Sequence, residues 1–196
     1  MRSADVAAAR APLWPAVTAS VVLALAGFAA VIAVSAGSAT ELATANADAV
    51  AAGQIDQRVL AGDRDALTIA VRNLGAIALL AGGAGTGGML TVVAMAVLGV
   101  GIGWGAAAVV AALGVAETIA RISAYIVFEA AGVALATVAG LLPAVHALLC
   151  AVRGRAGPIR EYTRALGTSL ALGAIAAALI VVAAVVEAIV IGVHTP

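Results

Sequence analysis

The stretch RISAYIVFEAAGVALATVAG, Arg121 to Gly140, is apolar for long enough to cross a bilayer as a helix, yet it holds a glutamate, Glu129. A hydrocarbon core of roughly 30 Å takes about 20 helical residues, and a carboxyl inside it is costly without a partner, a proton or a task. Arg121, Tyr125 and Glu129 recur at i, i+4 spacing and share a helix face, and Gly132, Ala136 and Gly140 follow close to that face. The polar face is therefore also the face with the least side chain, where a neighbouring helix can approach closest.

The rest of the chain has the same character. Of its 196 residues, 64% are hydrophobic and 10% charged, and the mean hydropathy is +1.18. No soluble domain of this size can hide that much apolar surface from water, which predicts an integral membrane protein with the lipid bilayer as its first partner. All the basic residues are arginines, and acids balance them to a formal net charge of +0. A nucleic-acid surface needs a basic excess, so that class of partner is excluded. The single cysteine, Cys150, allows neither a disulfide framework nor a CxxC-type metal site.

Five spans divide the chain. Residues 1–12, with Arg2 and Arg10, form a short arm before span 1 at residues 13–36. A cleaved signal peptide is the competing reading of span 1, but its hydrophobic region would be only about 7–15 residues. Residues 37–66 are the one long polar segment. Ser38 or Thr40 as N-caps and Gly53 and Gly62 as breaks predict two short, alanine-rich amphipathic helices at the membrane surface. Span 2 (67–81) and span 3 (89–113) flank the glycine-rich GGAGTGG, Gly82 to Gly88, where a tight reversal fits. Span 4 (122–152) leads into residues 153–165, where Arg153, Arg155, Arg160 and Arg164 face one Glu161, and span 5 covers 166–193. In the 37–66 loop Glu41, Asp48, Asp56, Asp63 and Asp65 outnumber Arg58 and Arg64. The positive-inside bias then places the N-terminus and the arginine cluster in the cytoplasm, and the acidic loop and C-terminus outside.

Each candidate motif has a structural reading beside the functional one. GAGTGG matches GxGxxG on its letters at Gly83, Gly85 and Gly88, but a dinucleotide site needs a strand before it and an acid about 20 residues on. A glycine hinge between packed helices fits better. Gly99, Gly101, Gly103 and Gly105 form two interleaved small-xxx-small pairs on span 3, and with Gly132 and Gly140 they are the expected helix-packing glycines. Arg72, Asn73, Glu117, Arg121, Tyr125, Glu129 and Glu187 fall at a similar depth and are the candidate buried polar cluster. Two arginines against three glutamates leave one acid in excess, so one carboxyl carries a proton or reaches water, with Glu129 the deepest. His146 and His194 stand apart along the chain and Pro143 should kink span 4, freeing a carbonyl that a neighbour must satisfy. This pattern predicts no metal, no cofactor and no active site; ion pairing that fixes helix orientation is the plainest role for the charges.

AVRNLGAIALLAGGAGTGGMLTVVAMAVLGVGIGWGA followed by YIVFEAAGVALATVAGL resembles the stage II sporulation protein M family over roughly Ala70 to Leu141. In that family an NN pair opens the second span, an NG closes the third and an HG…E signature opens the fourth. Asn73, Gly101 and Glu129 match, while Leu74, Val100 and Tyr125 stand where the second asparagine, the NG asparagine and the histidine would be. The resemblance implies a non-enzymatic membrane scaffold that works with envelope proteins such as a peptidoglycan hydrolase and with other membrane proteins; a homo-oligomer is a separate expectation. Relatives in circular-bacteriocin clusters imply the alternative, maturation or export of a small apolar peptide through an exporter. A small transporter using the Glu/Arg cluster is the remaining expectation; it lacks the internal repeat common in secondary transporters.

Overall fold

A computed structural model of the chain describes residues 12–51, 66–154 and 157–194, and the side chains of residues 39–51, 112 and 191–194 lie outside that description. The expectations for the N-terminal arm and for a second surface helix beyond Gly53 therefore fall outside the described residues. Lipid offers backbone N–H and C=O groups no water, so a spanning chain must satisfy them within itself. Among the described residues it does so with helices alone: α1 (Trp14–Ala51), α2 (Ala66–Gly82), α3 (Met89–Leu113), α4 (Val115–Val152) and α5 (Pro158–His194). Each contains a stretch long and apolar enough to cross a membrane. The protein is an all-α, multi-pass membrane bundle.

The helix ends differ from the hydropathy boundaries for a physical reason: charges stop a hydrophobic run without stopping a helix. α1 passes Ser38 and continues to Ala51 as one helix, where separate surface helices were expected. α4 begins at Val115, directly after the positive-φ Gly114, with Glu117 in its first turn. A carboxylate there suits the helix macrodipole. α5 begins at Pro158, whose fixed φ suits a first helical position. At 38 residues, α4 is about 57 Å long, well beyond the hydrocarbon thickness, and it contacts all four other helices.

Two seams hold the bundle together. Along the antiparallel α4–α5 seam, Gly132 lies against the Ala176 carbonyl, Ala139 against Ser169 and His146 against Glu161, two turns apart each time. Along the parallel α1–α3 seam, Gly27 meets Met95, Gly99 meets Val31, and Gly103 meets Ser35. Gly99 and Gly103 therefore supply the close approach, whereas Gly101 and Gly105 face open space. Only one of the two interleaved glycine pairs is a packing face to α1.

α2 is locked in where three backbones converge. The Thr91 hydroxyl donates to the Leu80 carbonyl at 2.7 Å, and a Cβ on Gly140 would strike both of these groups. Around this point Ile77, Leu80, Ala94, Ala136, Ala176 and Ile180 form the main buried core. The Gly83–Gly85 single turn of 3₁₀ helix and the positive-φ Gly87 and Gly88 make the α2–α3 reversal. Helix–turn–helix, with no strand, stands where GxGxxG would need one.

α4 runs unbroken through Pro143, which is buried. Proline takes away the N–H that would serve the carbonyl four residues back, that of Ala139. Ser169 on α5 donates its hydroxyl to that carbonyl at 2.5 Å. The offset expected for a proline in lipid is thus supplied by one side chain.

Two outcomes follow from this packing. Gly140→Ala should destabilise the detergent-solubilised protein by about 1–3 kcal/mol, the usual cost of forcing extra volume into a packed site, while Gly101→Ala leaves thermal unfolding nearly unchanged. Ser169→Ala should cost about 1–3 kcal/mol by leaving a buried carbonyl unsatisfied, and far less in a Pro143→Ala background, where the helix recovers its own bond; a double-mutant cycle on melting temperature measures the difference.

Candidate functional site

The polar residues expected to form one cluster are divided by the structure into an interior group and an exposed group. Inside, the Asn73 side-chain amide of α2 donates to Glu129 Oε1 of α4 at 2.8 Å. Glu187 of α5 is buried at 8% exposure and is an electrostatic neighbour of Glu129. Tyr125 is half-buried one turn from Glu129. Two helices thus share a polar contact in the half of the bundle nearer Gly114, with a carboxyl from a third helix as its electrostatic neighbour.

The arginines do not join it. Arg121 turns back along its own helix to Glu117, Nε to Oε1 at 2.8 Å, and both side chains are about half exposed. Such an i, i+4 pair contributes only a few tenths of a kcal/mol to about 0.5. Arg72 is exposed and forms no ion pair with a described residue. Arg72, Glu117 and Arg121 are therefore surface groups, corrected from the buried positions expected. The cause is helical phase: Asn73 faces α4, which turns its neighbour Arg72 outward.

At the opposite end of the bundle the structure brings together residues that the sequence shows as scattered. His146 and Cys150 occupy successive turns of one face of α4, at 2% and 3% exposure. Glu161 comes from the first turns of α5. His146 Nε2 lies 3.1 Å from Glu161 Oε2 and 3.9 Å from Cys150 Sγ, and the three donor atoms all lie within 4.8 Å of one another. Arg164 Nη1 is 3.5 Å from the same Glu161 oxygen. Gly154 and Gly157 both take positive φ where α4 ends and α5 begins, and α5 packs back against the last turns of α4. His146 is thus no isolated residue. Its i, i+4 spacing to Cys150 was legible; Glu161 needed the α4–α5 register.

Next to this cluster, Tyr162 donates its hydroxyl to the Ala84 carbonyl at 2.5 Å and accepts from the Gly87 N–H at 3.2 Å. One phenol therefore satisfies two backbone groups of the α2–α3 turn and ties that turn to α5. Two grooves among the described residues are open and apolar. One, of about 390 Å³, is lined by α1 and α3 residues including Val34, Ser35, Val100 and Trp104. The other, of about 340 Å³, lies between α2 and α5 at Leu74, Ala78, Ser169 and Gly173.

These features define a class, a multi-pass helical membrane protein with two intramolecular polar clusters among the described residues. No family model, curated protein or solved structure matches the chain.

The interior contact depends on a hydrogen bond, so its variants should rank by what they leave behind. Glu129→Gln keeps an acceptor for Asn73 and should cost little, whereas Glu129→Leu strands the Asn73 amide and should cost more, on the scale of interhelical bonds in membranes, about 0.6 kcal/mol on average and about 1.7 at most. Chemical unfolding in mixed micelles checks the order.

Proposed function

We propose that the protein is a non-enzymatic assembly component of a cell membrane, of the kind represented by stage II sporulation protein M, which acts by holding partner proteins at the envelope. The observation that carries this reading is the Asn73–Glu129 hydrogen bond. It joins two of the letters on which the resemblance rests and uses Glu129 as a tie between helices. The extensive apolar surface of α3 and the first half of α4, including Val100, Ile102, Trp104, Val109, Ile119 and Val127, supports the same reading, since it suits lipid or another membrane helix. In this proposal the N-terminus and the Arg153–Arg164 turn face the cytoplasm, in line with the positive-inside bias. The α2–α3 turn shares that side, as the Tyr162 contacts require.

Partner retention and ionisable function can be separated at Glu129. Wild type, Glu129→Gln and Glu129→Leu are purified in mild detergent with mass spectrometry of co-purifying proteins, and each is tested for pH-driven proton uptake in vesicles. The assembly reading expects a stoichiometric envelope partner with wild type and Glu129→Gln, reduced with Glu129→Leu. A transporter or peptide-export component would instead show uptake or export in the wild type that a folded Glu129→Gln loses.

A further inference from the structure

We propose that His146, Cys150 and Glu161 form a binding site for a divalent transition metal, with Zn²⁺ as the best fit, at the α4–α5 end of the bundle. The site is separate from the Asn73–Glu129 contact and does not depend on the assembly reading.

The argument begins with convergence on one atom. In a nucleophile–base–acid relay, histidine uses one ring nitrogen for the nucleophile and the other for the acid. Here the same nitrogen, Nε2, faces both Glu161 Oε2 at 3.1 Å and Cys150 Sγ at 3.9 Å. Three donor atoms around a common point form a ligand set, not a chain for moving a proton.

Their spacing fits a metal. Zinc–nitrogen and zinc–oxygen bonds of about 2.0–2.2 Å and a zinc–sulfur bond of about 2.3 Å put tetrahedral ligand atoms roughly 3.3–3.6 Å apart. The His146–Glu161 and His146–Cys150 separations of 3.1 and 3.9 Å bracket that range, and the Cys150 and Glu161 donor atoms, within 4.8 Å, would have to draw together by rotamer change on binding. The donor types agree as well: one thiolate, one imidazole and one carboxylate match the borderline softness of zinc and exclude the all-oxygen preference of magnesium or calcium.

The protein is built to hold these groups. His146 and Cys150 are almost fully buried on a rigid helix, at the i, i+4 spacing that puts side chains on one face. Glu161, with 17% of its side chain exposed, is the route of entry, and Arg164 reaches its Oε2 from outside, an orienting contact of the sort that supports metal ligands. On binding, the Cys150 thiol loses its proton to solvent and gives a lone pair from sulfur. His146 gives the Nε2 lone pair with its remaining proton on Nδ1, and Glu161 binds as carboxylate. Three protein ligands leave a fourth position for water or for a ligand atom from a partner, as in zinc sites that exchange or react.

The test uses the full chain carrying a tag without histidines, purified in detergent, stripped with chelator and titrated with Zn²⁺ and, separately, with Co²⁺. The proposal expects about one metal per chain, a thiolate-to-Co²⁺ charge-transfer band, and a rise in melting temperature with Zn²⁺. Glu161→Gln, at a partly exposed position that should fold, and Cys150→Ala should each weaken Zn²⁺ binding by at least about 10–100-fold, since even supporting residues cost that much. If the wild type shows no charge-transfer band, or if Glu161→Gln binds as tightly as wild type, the cluster is a tether between α4 and α5 and the proposal fails. The wild-type spectrum decides the matter even if Cys150→Ala does not fold.

Discussion

The close approach of α4 to its neighbours between Gly132 and Gly140 is the constraint on which the rest of the bundle depends. In lipid, apolar burial gives little reason for one helix to prefer another over the surrounding tails, so packing contact and hydrogen bonding carry the association. At Gly132 the missing side chain admits Ile180 and the Ala176 carbonyl of α5; at Gly140 it admits the Leu80 carbonyl and the Thr91 hydroxyl. The first sets the α4–α5 register, and the second brings α2 and α3 to the same point. Ser169 against Ala139 and His146 against Glu161 then follow as consequences of one register.

The polar groups obey the same economy. The carbonyl freed by Pro143 receives Ser169, the end of α2 receives Thr91, and the α2–α3 turn receives Tyr162. Each of these side chains comes from a different helix than the group it serves, so hydrogen bonding also specifies which helices meet. Asn73 and Glu129 extend the pattern to a carboxyl, where an unpartnered group would be dearest. The Glu117–Arg121 pair, exposed and local to one helix, adds little to this framework.

Much of this was readable from individual residues. The glycines at 82–88 marked the α2–α3 reversal, and spans 2 and 3 end within a residue of α2 and α3, because glycine clusters interrupt both hydrophobicity and helix. Pro143 announced a carbonyl in need of a donor but not that Ser169 would supply it. The glycines of α3 announced close packing but not that Gly99 and Gly103, rather than Gly101 and Gly105, would face α1. A similar depth was expected for Arg72 and Arg121, yet position along a helix does not tell which way a side chain points. Adjacent residues on a helix differ by about 100° in direction, enough to send Asn73 inward and Arg72 out.

The sequence by itself determined that the chain is a helical membrane protein, where the α2–α3 turn falls, and which residue types would be costly in lipid. Those properties are summed along the chain: hydropathy over about 20 residues, backbone restriction at glycine and proline, and the price of burying charge. Only the tertiary structure decided which costly groups meet. Asn73 with Glu129, and His146 and Cys150 with Glu161, depend on the rotation and register of whole helices against one another, and these are fixed by contacts at Gly132 and Gly140 on the same helix as Glu129 and His146.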